Sequence, residues 1–119
     1  GPKRFAGEKG PAIMSPGVSE AAREKAVGIM AKVNPAGFRQ AVEMLSTADL
    51  FEDTASITVP ALVLCGADDP IAPESVCRSV EAALANAQFC LISGVGHYSA
   101  TENPPLFNEV ISGFLGGVN

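Results

Sequence analysis

The spacing of apolar positions changes near residue 59. Upstream they recur at helical intervals, and downstream they gather into two short runs, each ending in a glycine turn. Ala22, Ala26, Ile29, Met30 and Val33 share one face of a predicted helix. Ser19 caps it, with Glu20 in the first turn and Lys32 in the last, matching the helix dipole. Asn34-Pro35 ends that helix and opens a second, whose apolar stripe is Phe38, Ala41, Val42 and Leu45. A break follows over residues 47–53. Residues 3–17 are rich in Gly and Pro, show no period, and read as an extended connector.

The first apolar run is Ala61–Cys65, closed by Gly66. Its continuity suits a strand buried on both faces. Pro73 opens a helix with Val76, Val80, Ala83 and Leu84 inward. A second strand follows over Gln88–Ile92, closed by Ser93-Gly94-Val95-Gly96. Asn103 caps the last helix and Pro104 starts it. Its apolar face holds Leu106, Phe107, Val110, Ile111, Phe114 and Leu115, and Gly116-Gly117 stops it. The layout is α/β, a strand–helix–strand unit with two parallel strands. Two such strands leave open edges and apolar faces. The expected chain is therefore one part of a larger sheet, completed by missing residues, a companion chain or another copy of itself.

Composition narrows the function classes. The 119 residues suit one small domain, and 47% of them are hydrophobic, enough for a packed core. No apolar run reaches the roughly 18–20 residues of a membrane span. No amino-terminal secretion signal is visible, so a cytoplasmic protein is expected. Gly1-Pro2 reads as the remnant of a tag-removal cleavage. The net charge of −5 arises in the second half, where Arg78 is the sole basic residue among residues 59–119. A chain so charged is not expected to bind nucleic acid. Cys65, Cys77 and Cys90 form no C-x-x-C pair. They read as small buried hydrophobes of a reducing compartment rather than as nucleophiles.

The candidate chemistry lies at the ends of the two runs. Gly66-Ala67-Asp68-Asp69-Pro70 delivers Asp69, and Gly94-Val95-Gly96-His97 delivers the only histidine, 28 positions later. Each motif alone is compatible with ordinary turn chemistry. Together they put an acid and then a histidine at the same end of two parallel strands, where open α/β sheets carry their sites. The stretches ITVPALVLCGADDPIAP and GVGHYSATENPPLFNEVISGFL resemble the acid strand, histidine loop and last helix of α/β-hydrolase-fold enzymes. The helical pair before them resembles the small cap of the branch that contains 3-oxoadipate enol-lactone hydrolases and related esterases.

The resemblance implies a carboxy-terminal portion of an α/β-hydrolase sheet. Residues 1–18 would be remnant and connector, 19–56 a helical cap segment, and 57–119 strand–helix–strand–helix of the core. It implies Asp69 as triad acid and His97 as general base, with Asp68 a solvated turn residue. Glu102 would support the start of the last helix, and Ser99 would be a loop or helix residue. No G-x-S-x-G elbow occurs in the 119 residues, so no nucleophile is assigned and the chain alone is expected to be inactive. The implied reaction is serine-dependent hydrolysis of a small carboxylic ester or lactone, with no metal and no cofactor. Two alternatives stay open. One is another chemistry of the fold: haloperoxidase-like, C–C hydrolase or acyltransferase. The other is a non-catalytic binding or self-associating module on the same scaffold.

Overall fold

The computed structural model describes residues 1–118. It begins with α1 (Pro2–Lys9) and a 3-10 turn over Pro11–Ile13, followed by α2 (Glu20–Met30), α3 (Pro35–Thr47) and the single turn α4 (Phe51–Thr54). Strand β1 (Ala61–Gly66), helix α5 (Glu74–Ala83) and strand β2 (Ala87–Ile92) come next. The short α6 (Ser99–Glu102) and the long α7 (Pro104–Gly117) close the chain. β1 and β2 pair in parallel, from Ala61 opposite Ala87 to Gly66 opposite Ile92. The two strands therefore end level with one another, and the turns that follow them leave from one edge of the sheet.

The helix caps follow local chemistry. Ser19 accepts a hydrogen bond from the Ala22 amide, Asn34 from Ala36 and Gly37, and Asn103 from Leu106. Each satisfies a backbone donor that the first helical turn leaves unpaired.

Several elements differ from the sequence expectation. The extended connector over residues 3–17 is largely structured, and Pro2 sits in the first turn of α1, where its missing N–H costs nothing. Burial holds α1 in place, because Ala6 is fully enclosed. Gly10 brings the end of α1 onto α2, where an added Cβ would lie 2.9 Å from Val27 Cγ2. α2 stops at Met30, which leaves Lys32 beyond its last turn. The break at 47–53 contains the start of α4, where Asp49 accepts from the Phe51 amide.

α5 turns Cys77 inward, while Val76 and Val80 remain 47% and 36% exposed. β1 is buried only at Cys65 and Gly66, and Ala61–Leu64 are half-buried. The cause is common to both departures: a two-stranded sheet is too narrow to cover a helix face or to be sandwiched itself.

The size of the exposed surface supports that reading. The accessible area of 7684 Å² is about 1,600 Å² more than the roughly 6,100 Å² expected of a compact 12.2 kDa monomer. The radius of gyration of 15.7 Å likewise exceeds the ~13.5 Å of a compact domain of this length.

Candidate functional site

The turns after β1 and β2 are bonded to each other. The Ala67 amide donates to the Ile92 carbonyl at 2.9 Å, and the Asp68 amide to the Val95 carbonyl at 3.0 Å. Gly94 makes the bend after β2 with φ of +71°, a conformation that L side chains rarely adopt. The 13–15 segment packs against the same loop, and the Ile13 carbonyl accepts from the His97 amide at 2.8 Å. Gly96 lies under that segment. A Cβ added there would stand 2.7 Å from the Ile13 carbonyl oxygen and 2.8 Å from both Met14 C and Ser15 N. All three are backbone atoms with little freedom to move away. Gly96→Ala is expected to cost about 1–3 kcal/mol of stability, as an overpacked core does, measured by urea unfolding.

The structure brings Asp69 and His97 together. His97 Nδ1 lies 3.0 Å from Asp69 Oδ2 and 3.2 Å from Oδ1. An ionised carboxylate only accepts, so this contact places the proton on Nδ1 and leaves Nε2 as the basic nitrogen of the neutral ring. The Asp69 side chain is 9% exposed and the His97 side chain 38%. Asp69 Oδ1 also accepts from the Ile71 amide at 2.8 Å and the Ala72 amide at 3.1 Å, so the acid is held from both sides.

Burial raises the Asp69 carboxyl. The hydrogen bond to His97 and the two backbone amides outweigh it, and the group titrates below its ordinary value. A carboxyl depressed in the fold stabilises it above its unfolded pKa, about 3.9. That contribution is lost as pH falls through the folded value. Urea unfolding should therefore show Asp69→Asn destabilised at neutral pH, with the gap to the parent chain narrowing as pH drops below about 4.

Two acids act differently from expectation. Asp68 is exposed, yet its Oδ2 accepts from Ser15 Oγ at 2.6 Å, so it is tied rather than simply solvated. Glu102 does more than support the last helix. It accepts from Ser15 N at 2.6 Å, Gly96 N at 3.0 Å and Tyr98 N at 3.0 Å, tying the 13–15 segment to the two amides that flank His97. Ser15 is 2% exposed. Its partners stand 53 and 87 positions away, so sequence reasoning missed it; Ser15-Pro16-Gly17 signals only a turn. Ser99 opens α6.

Beside Tyr98, whose ring lies 5.9 Å from that of His97, an open hollow of about 260 Å³ runs between the helices. Phe5, Ile29, Met30, Val33 and Phe38 line it, with Lys32 at its side. The apolar stripe expected of α3 is not buried: Phe38, Val42 and Leu45 are 46%, 48% and 66% exposed, because among the described residues no element covers that face. Among the described residues no cluster of three or more His, Cys, Asp or Glu is placed to hold a metal, and no helix is long and apolar enough to cross a membrane.

A family model described as alpha/beta hydrolase fold matches residues 21–104. The chain is similar to 3-oxoadipate enol-lactonase 1 of Acinetobacter baylyi, with 29% identity over 92 residues, covering 77% of this chain and 34% of the lactonase. It superposes on the enol-lactonase of Burkholderia xenovorans LB400 with a TM-score of 0.87 at 24% identity, over 97% of this chain and 45% of the other. A thermophilic esterase of Thermogutta terrifontis gives a TM-score of 0.84 at 25% identity, over 99% of this chain and 45% of the esterase. The chain thus spans about a third of the curated relative and less than half of each solved structure.

Proposed function

The chain belongs to the α/β-hydrolase fold family, and on that footing we propose that it carries the acid–base arm of a serine-dependent ester or lactone hydrolase. The observation that carries this reading is the 3.0 Å contact between Asp69 Oδ2 and His97 Nδ1 at the level ends of two parallel strands. A module that only binds has no need to hold a histidine by one nitrogen.

In this reading a serine hydroxyl, supplied by a polypeptide with a G-x-S-x-G elbow, meets His97 Nε2. His97 takes the hydroxyl proton as the serine oxygen attacks the substrate carbonyl. Asp69 keeps the ring oriented and stabilises the imidazolium. The proton passes to the leaving alkoxide, and the acyl group remains on serine. Water then attacks, His97 accepts its proton, and the acid product departs with the serine restored.

The helical pair would act as a cap, with the hollow beside Tyr98 receiving the apolar part of the substrate. The surplus of about 1,600 Å² of accessible surface supports further structure that completes the sheet, from the rest of the same polypeptide, a companion chain or another copy, since a standard interface covers roughly 800 Å² per partner.

The test is reassembly. Alone, the chain should not hydrolyse p-nitrophenyl acetate above background. Mixed with a polypeptide of the same fold that carries the elbow, it should sediment as a complex and turn the ester over. Turnover by the chain alone that His97→Ala abolishes would contradict the division of labour. A stable lone monomer that ignores the elbow polypeptide would contradict the partnership.

A further inference from the structure

Cys65 of β1 and Cys77 of α5 face each other across the packing of the helix on the strand. Both are reduced and buried, at 2% and 9% exposure. Their thiols converge on one acceptor. The Ala72 carbonyl accepts from Cys77 Sγ at 3.4 Å and lies 3.7 Å from Cys65 Sγ, whose single S–H also has the Gly66 carbonyl at 3.4 Å. The two sulfurs thus flank a single oxygen, in a pocket with no third group placed to make a metal site among the described residues. Cys90 lies on β2, outside this arrangement.

From this shared acceptor we propose that Cys65 and Cys77 are an oxidisable dithiol that a peroxide converts to a disulfide joining β1 to α5. Cys77, the more exposed, meets the oxidant first. Its sulfur attacks one peroxide oxygen, the O–O bond breaks, and water leaves with the thiol proton, giving a sulfenic acid. Cys65 sulfur then attacks the Cys77 sulfur. The S–S bond forms, the S–OH bond breaks, and a second water departs with the Cys65 proton. The two thiols together lose two electrons and two protons, and the peroxide is reduced to two waters.

Burial, and then the neighbouring Cys77 thiol, push the Cys65 thiol up to about 11. Thiolate is scarce there at neutral pH, so closure should be slow and should accelerate with pH.

The bond has a consequence for the neighbouring turn. A disulfide carries no S–H, so neither sulfur can still donate to the Ala72 carbonyl. The Ala72 amide is one of the donors that hold Asp69 Oδ1. Oxidation should therefore loosen the Asp69 turn. This consequence rests on the Asp69–His97 reading, whereas the dithiol itself stands on the thiols alone.

The test treats the full chain with hydrogen peroxide, alkylates remaining thiols, and maps peptides by mass. The expected result is loss of two hydrogen atoms and a peptide linking Cys65 to Cys77, with Cys90 still alkylated. The link should form faster at higher pH and vanish in Cys77→Ser, while Cys90→Ser keeps it. Oxygen addition at Cys65 or Cys77 without a cross-link, a link made only through Cys90, or full alkylation at all three positions would each overturn the proposal. The parent-chain map decides this even if a variant fails to fold. If the link forms and the His97 ring signals stay unchanged, the dithiol holds and its coupling to the turn fails.

Discussion

Asp69→Asn lowers kcat of the reassembled hydrolase by about 10⁴-fold and leaves KM nearly unchanged, if Asp69 orients the base as proposed. The geometry explains why so small a change should be so costly. Asp69 accepts from the Ile71 and Ala72 amides as well as from His97. An asparagine can keep both amide bonds only through its carbonyl oxygen, which turns its NH2 toward His97 Nδ1. That group donates, so Nδ1 must become the acceptor and the proton moves to Nε2, the nitrogen that should accept from serine. The ring then presents the wrong tautomer. The check is steady-state hydrolysis of an activated ester, with sedimentation showing that the complex still assembles. A loss smaller than about tenfold would mean that Asp69 is a structural acid rather than the orienting group.

Glu102→Ala should cost about 3 kcal/mol of stability, more than a typical single substitution. Three backbone amides, of Ser15, Gly96 and Tyr98, would lose a half-buried carboxylate acceptor. Hydrogen bonds to charged groups contribute about 1.5–3 kcal/mol each, and neighbouring bonds on one group do not add fully. Glu102→Gln retains one oxygen and aims an NH2 group at amides that also donate, so it should fall between Glu and Ala. Urea denaturation of the three chains checks the order. Equal stability for all three would show that the 13–15 segment and the His97 loop hold together without this carboxylate.

The legible part of the molecule was local or periodic. Asp69 and His97 each follow an apolar run by a few residues, and parallel pairing from Ala61 opposite Ala87 brings the run ends level. The caps at Ser19, Asn34 and Asn103 are side-chain chemistry read one turn ahead. The illegible part depended on contacts distant in sequence. Nothing near Ser15 announces Asp68 or Glu102 as its partners. α1 contains glycine and little apolar periodicity, and it is helical because Ala6 and Gly10 pack on α2, not because of intrinsic preference. Val76 and Val80 fall on an apolar face of α5 by spacing, yet remain exposed because two strands cannot cover that face. The family resemblance identified the fold, which by itself does not decide the substrate.

The most direct test of the central claim is the ring state of His97, read by nitrogen-15 NMR of the chain with labelled histidine. His97 is the only histidine, so its two ring nitrogens need no assignment against others. The account predicts, above the imidazole pKa, a protonated Nδ1 and an unprotonated Nε2, with that preference lost or reversed in Asp69→Asn. A ring protonated on Nε2, or one indifferent to Asp69→Asn, would contradict the reading of Asp69 and His97 as the acid–base arm of a hydrolase.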